Sequence, residues 1–157
     1  MKAKLFWFPS TRESWLEQFI AIFDKKINFY LSFEIEALKV KKLGRESAEY
    51  KVQHEEKLLL SKINSSDFVI LFDEKSATVK NSYDFSNKLV KALESSKQRV
   101  VFVIGGAFGL GEEVKKRANL RISLSNLTLS HQVATVIVLE QIFRALTIWK
   151  NHPYHND

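Results

Sequence analysis

Arg99-Val100-Val101-Phe102-Val103-Ile104-Gly105-Gly106-Ala107-Phe108-Gly109-Leu110-Gly111 carries five consecutive apolar residues and then four of the chain's five glycines. An unbroken apolar run of this length, opened by a charge and closed by glycine, reads as a strand covered on both faces. Residues from about Gly111 to Ala118 read as a short helix, so the glycines fill a strand-to-helix turn. Phe68 to Phe72, enclosed by Asp67 and Asp73, is a second run of the same kind.

The neighbouring segments repeat the alternation. Lys2 to Phe8 reads as a strand stopped by Pro9, and Leu31 to Ala37 alternates apolar and polar residues as a strand does. Ser10-Thr11-Arg12-Glu13 has the form of a capping box before Trp15, Leu16, Phe19, Ile20 and Phe23, which fall at helical spacing. Further helices are predicted from Ser47 to Ile63, from a Ser82 cap through Leu93, and from His131 to Trp149, with a short strand near Arg121 to Leu124. Strands alternating with helices argue an α/β fold with a mainly parallel sheet. With 157 residues and no linker or repeat, one domain spanning residues 1–157 is expected.

Composition narrows the chemistry. The chain has no cysteine, which excludes disulfides, Cys-ligated zinc, iron–sulfur clusters and a thiol nucleophile. No apolar run at the N-terminus is long enough for a signal peptide, and no stretch reads as a membrane span of roughly 20 residues, so a cytoplasmic location is expected. The net charge of +6 is compatible with an anionic partner such as RNA and equally with a mildly basic surface that has none.

In an open α/β sheet, ligands sit outside the carboxyl ends of the strands, where the glycine cluster lies. The alternative is a tight turn that binds nothing. The cluster is neither a Gly-Lys-Ser/Thr phosphate loop nor G-x-G-x-x-G. Glu112 and Glu113 open the following helix, where they would repel a phosphate. A phosphate-free ligand fits better, such as a nucleoside carrying a cationic group.

The last helix is apolar around most of its circumference, which calls for burial within the chain or against a second subunit. Glu140 and Arg144 are spaced to pair. His152-Pro153-Tyr154-His155 is an unusual ending, read either as a frayed tail or as a functional one; a two-histidine metal site would lack a third ligand other than Asp157.

Gly105-Gly106-Ala107-Phe108-Gly109, Leu124 through His131, Glu140-Gln141 with Arg144-Ala145, and Asn151-His152-Pro153-Tyr154-His155 occur in the order and spacing of one family. The chain resembles the ribosomal RNA large-subunit methyltransferase H family of the SPOUT class over essentially its whole length. The resemblance implies an α/β domain with a C-terminal trefoil knot, a homodimer, S-adenosylmethionine as methyl donor and no metal. It implies N3 of a pseudouridine in 23S ribosomal RNA as acceptor, within the assembled ribosome. Carried over by position, Phe72, Gly105, Leu124, Ser125, Asn126, Leu127, Thr128 and Leu129 bind the donor. His155 is the first candidate for the base that takes the N3 proton, with Tyr154 beside the target base; His131 is read as orienting the pocket.

The chain departs from the family at Thr135, where an arginine is usual, at Asn156, where a cation is common, and after Asp73, where a glycine is usual. Thr135 and Asn156 favour an alternative: a diverged, non-catalytic module that binds the donor or the ribosome. Lys41, Lys42, Arg45, Lys115, Lys116 and Arg117 are the candidate phosphate contacts.

Overall fold

A computed structural model describes residues 1–41 and 45–156. Five strands, β1 (Lys2–Trp7), β2 (Ser32–Ala37), β3 (Asp67–Phe72), β4 (Arg99–Ile104) and β5 (Leu120–Ile122), form one sheet in the order β2-β1-β4-β3-β5. Every pairing is parallel. The helices are α1 (Ser14–Asn28), α2 (Ala48–Lys62), α3 (Ser82–Leu93), α4 (Glu112–Arg117) and α5 (His131–Trp149).

The apolar run of β4 lies at the centre of the sheet. Phe102 is in register with Leu5 of β1 and Ile70 of β3. With Phe33, these residues face a core completed by Leu16, Phe23 and Ile27 of α1, Phe85 and Leu89 of α3, and Val138, Leu139 and Ile142 of α5. The alternate residues Val101 and Val103 face the other side, with Phe6, Val69 and Leu71, against Leu59 of α2 and Val114 of α4. β3 and β4 thus feed two cores, which is why their sequences do not alternate in polarity, whereas the edge strand β2 faces one core and does alternate.

Chain direction places the site. β1 to β2 and β3 to β4 step one way across the sheet through α1 and α3 on one face. β2 to β3 and β4 to β5 step the other way through α2 and α4 on the opposite face, which keeps the same hand of crossover. Neighbours β3 and β4 therefore send their chains to opposite faces, and a crevice opens at their carboxyl ends.

By length and composition α5 could cross a membrane, but here it packs against both α1 and α3 as a core helix. Its buried Thr135 and Thr147 donate their hydroxyls to the carbonyls of His131 and Arg144. Ser47 caps α2 and Ser130 caps α5, each accepting a backbone N–H. Two expected caps differ. Asn81, not Ser82, caps α3. The Ser10 capping box does not form: Glu13 is the residue before α1, and the Ser10 hydroxyl is 2.8 Å from His131 Nε2. A long-range partner outcompetes the local one.

Candidate active site

The crevice holds a cavity of about 480 Å³, within the size range of a small-molecule site. Phe72 at the end of β3, Gly105 and its loop after β4, and the segment after β5 converge on it. Seven of the eight expected donor-binding residues line it: Phe72, Gly105, Leu124, Ser125, Leu127, Thr128 and Leu129. Asn126 does not, because its side-chain oxygen accepts from the Thr78 hydroxyl at 2.8 Å. That contact and the Ser123–Thr78 bridge tie the segment to residues 77–79. Ser125 Oγ accepts the Leu127 N–H, folding the segment into a local turn.

The glycines are explained by close approach. A Cβ on Gly105 would meet the Leu110 side chain at 3.0 Å and the Gly109 carbonyl carbon at 3.2 Å. Gly109 has φ +85° and closes a turn by donating its N–H to the Gly106 carbonyl at 3.1 Å. From behind, α2 contributes two adjacent carboxylates. Glu55 accepts the Gly106 N–H, and burial raises its pKa above the usual carboxylate range, against that N–H and Lys51, which pull it down. Glu56 Oε2 accepts the Val114 N–H at 3.0 Å and so caps α4. Nothing local in the sequence marks these residues; the signal is a pair of glycines, Gly106 and Gly111, whose missing Cβ atoms make room for them.

This arrangement decides the ligand class. A third carboxylate, Glu56, now joins Glu112 and Glu113 at the start of α4, so that helix offers no phosphate seat. The cavity instead presents apolar walls from Phe72, Leu124, Leu127 and Leu129, with Asp73, Glu74 and Lys75 also in its lining. Such a set suits a nucleoside with a cationic, amino-acid-bearing substituent. Among the described residues no group of three or more His, Asp or Glu could hold a metal ion, and Asp157 lies outside them.

The tail is elsewhere. Asn151 has φ +53°, and His152 N–H reaches the Thr147 carbonyl at 2.8 Å while Asn151 N–H reaches Ile148. This left-handed helix ending, followed by Pro153, turns the chain back over α5. Tyr154 then lies edge-on to Phe143, 4.8 Å from the Arg144 guanidinium carbon, and donates its hydroxyl to Glu140 at 3.1 Å. Burial, then Glu140, raises its pKa, so the phenol keeps its proton. Arg144 donates twice to Glu140 Oε1, at 3.0 and 2.6 Å, and once to His155 Nδ1 at 3.1 Å. A guanidinium only donates, so His155 accepts at Nδ1 and carries its proton on Nε2. None of these groups lines the cavity. Arg144 is thirteen residues beyond His131, about 20 Å along the helix at 1.5 Å per residue.

The family model described as "Predicted SPOUT methyltransferase" matches residues 1–155. Ribosomal RNA large subunit methyltransferase H of Bdellovibrio bacteriovorus is 46% identical over 156 residues, covering 99% of each chain. The protein of the same name from Christiangramia forsetii is 39% identical over 157 residues, again covering 99% of each. The chain belongs to this methyltransferase H family of the SPOUT class. Among solved structures, the tRNA (m1G37) methyltransferase from Aquifex aeolicus is similar with a TM-score of 0.54, covering 100% of this chain and 76% of that one; at 17% identity the likeness is one of fold.

The departures from the family pattern now have locations. Thr135 is 0% exposed and hydrogen-bonded inside the protomer, so an RNA contact from this position is not available in this fold. Asn156 is exposed. Of the candidate phosphate contacts, Arg117 is spent on the carbonyls of Asn64 and Asp67, and Lys115 and Lys116 pair with Glu112 and Glu113. Lys41 and Arg45 are exposed, and Lys42 lies outside the described residues, as does Gly44 of the same basic loop.

Proposed function

We propose that the protein transfers a methyl group from S-adenosylmethionine to N3 of a pseudouridine in 23S ribosomal RNA, in the cytoplasm and on the assembled ribosome. The observation that carries the donor is the cavity: apolar walls, open main chain, and three carboxylates where a phosphate would sit. The acceptor comes from the family, whose curated members are named for large-subunit ribosomal RNA.

The donor brings a sulfonium methyl that needs no further activation. The chain must hold the acceptor base beside it and deal with the N3 proton. Tyr154 and His155 are the residues proposed for that work. His155, with its proton on Nε2, is set to donate to a carbonyl oxygen flanking N3, which acidifies the N3–H. It can take the proton itself once Nδ1 is released from Arg144.

Neither group lines the cavity of its own chain; both pack on the C-terminal half of α5, against Glu140 and Arg144. The reading therefore includes a homodimer in which the tail of one copy serves the cavity of the other. A half-exposed apolar strip on α5, Val133, Val136 and Ile137, continues to Leu127 at 74% exposure beside the cavity and suits burial by a second copy. The C-terminal trefoil knot implied by the resemblance belongs to the same proposal.

The test incubates the protein and S-adenosylmethionine with 70S ribosomes lacking the modification. Mass spectrometry of the 23S RNA fragment should show one added methyl on pseudouridine. Intact donor binding with unmethylated RNA would instead support the non-catalytic module, for which Asn156, in place of a tail cation, remains the one favouring observation.

A further inference from the structure

Phe108 stands at the tip of the Gly106–Gly109 turn and is 54% exposed, although it belongs to no core. Tips of tight turns are ordinarily small or polar, and a half-exposed ring there forgoes the burial it would gain elsewhere. This ring is on the rim of the cavity. Lys51 of α2 places its ammonium 5.2 Å from the ring centroid. One turn along the same helix His54 stacks on Tyr50 at 3.7 Å, and exposed Arg45 precedes the helix. An aromatic face backed by a cation is the combination that holds an unpaired base and its phosphate.

We propose that Phe108, with Lys51, is a stacking platform for an unpaired base of the RNA substrate at the mouth of the methyl-donor cavity. The inference rests on the RNA reading above and adds to it a contact outside the tail. A role as a cover for the donor is less well supported, since Phe72, Leu124, Leu127 and Leu129 already supply apolar walls and a cover has no use for an ammonium on its ring. On binding, the base loses stacking on its neighbours and regains it on Phe108, while Lys51 is placed near the backbone charge. The contact is sequence-tolerant, so it anchors a flipped-out nucleotide and leaves its identity to other residues.

The experiment compares wild type with Phe108→Ala, Phe108→Tyr and Lys51→Met. It measures S-adenosylmethionine affinity by calorimetry, binding of a fluorescent single-stranded uridine decamer to donor-loaded protein, and kcat and KM on unmodified ribosomes. Loss of one stacked base predicts a rise of about five- to a hundredfold in decamer Kd and ribosome KM for Phe108→Ala. Donor affinity should stay within about twofold, and Phe108→Tyr should restore binding. Lys51→Met should give a smaller loss that fades at high salt. Weaker donor binding with unchanged decamer Kd would make Phe108 a cofactor cover. A shift in oligomeric state would make it a subunit contact. Either result overturns the platform, as does failure of tyrosine to rescue or of wild type to bind the decamer. If wild type binds the decamer but leaves ribosomes unmethylated, the proposed function fails while the decamer comparison still decides the platform.

Discussion

The two ends of α5 are built for different work. At its N-terminal end, Ser130, His131 and Ala134 join a cavity whose walls are largely main chain and apolar side chains, with Asp73, Glu74 and Lys75 also in its lining. At its C-terminal end, Glu140, Arg144, Tyr154 and His155 form one hydrogen-bonded cluster rich in titratable groups and outside that cavity's lining. Carboxylates brace both ends, but differently. Glu55 accepts the Gly106 N–H of the glycine loop and Glu56 the Val114 N–H of α4, whereas Glu140 grips side chains. On the proposed reading, a donor seat at one end of the helix and a proton-handling cluster toward the other do not meet by side-chain rotation. That reading gives each chain two half-sites, which the proposed homodimer would join.

Complementation gives the largest expected effect. Gly105→Val drives side-chain atoms into Leu110 and the Gly109 backbone, and should weaken donor binding on the order of a hundredfold or more. A chain ending at Asn151 should bind the donor normally and methylate nothing. Co-expressing the two in equal amounts should restore about a quarter of wild-type activity, because half the dimers are mixed and each has one intact pair of half-sites. An inactive mixture would mean that each chain completes its own site, and the contrast between the two ends would lose its functional meaning.

Within the tail cluster, His155→Ala should lower kcat on ribosomes by about a hundredfold or more, with donor affinity unchanged. Tyr154→Phe keeps the ring on Phe143 and Arg144 but loses the bond to Glu140, so a smaller drop, about tenfold, is expected. Equal effects of the two on donor binding would show that the ends are coupled after all.

How far these ends could be read in advance depended on where their signals lie. β4 and α5 have the predicted bounds because each is punctuated locally: Arg99 and Gly105 around β4, Ser130 and Asn151-His152-Pro153 around α5. Ser10 misled because its partner, His131, is 121 positions away and no local pattern announces it. The tight loop beside the cavity was legible from clustered glycines, since glycine is the residue a close backbone approach demands. Its α2 brace was not, because a Glu-Glu pair on a charged helix looks like any solvated face. The separation of tail from cavity was also invisible: motif order says nothing about which end of a helix a reversed tail revisits.

The brace offers the smaller effects. Glu56→Ala removes the acceptor for Val114 N–H and should cost about 1 kcal/mol in urea unfolding, the ordinary worth of a helix cap. Donor affinity should fall only as far as the loop loosens.

Glu55→Gln isolates charge from geometry, since the amide oxygen still accepts from Gly106. Burial raises the folded pKa of Glu55 above the ordinary glutamate value of 4.5. Between the two values the native state holds more protons than the unfolded state, so wild-type stability falls as pH rises through that window. The glutamine variant has no such loss. Its stability relative to wild type should therefore climb as pH increases from about 4.5 and level off above the folded value, as read from urea midpoints. Donor affinity should not change, because what the loop needs from Glu55 is an acceptor at a fixed place. A wild type that gains on the variant with rising pH would show that the ionised carboxylate holds the loop by charge, making the cavity end resemble the Glu140–Arg144 cluster it otherwise contrasts with.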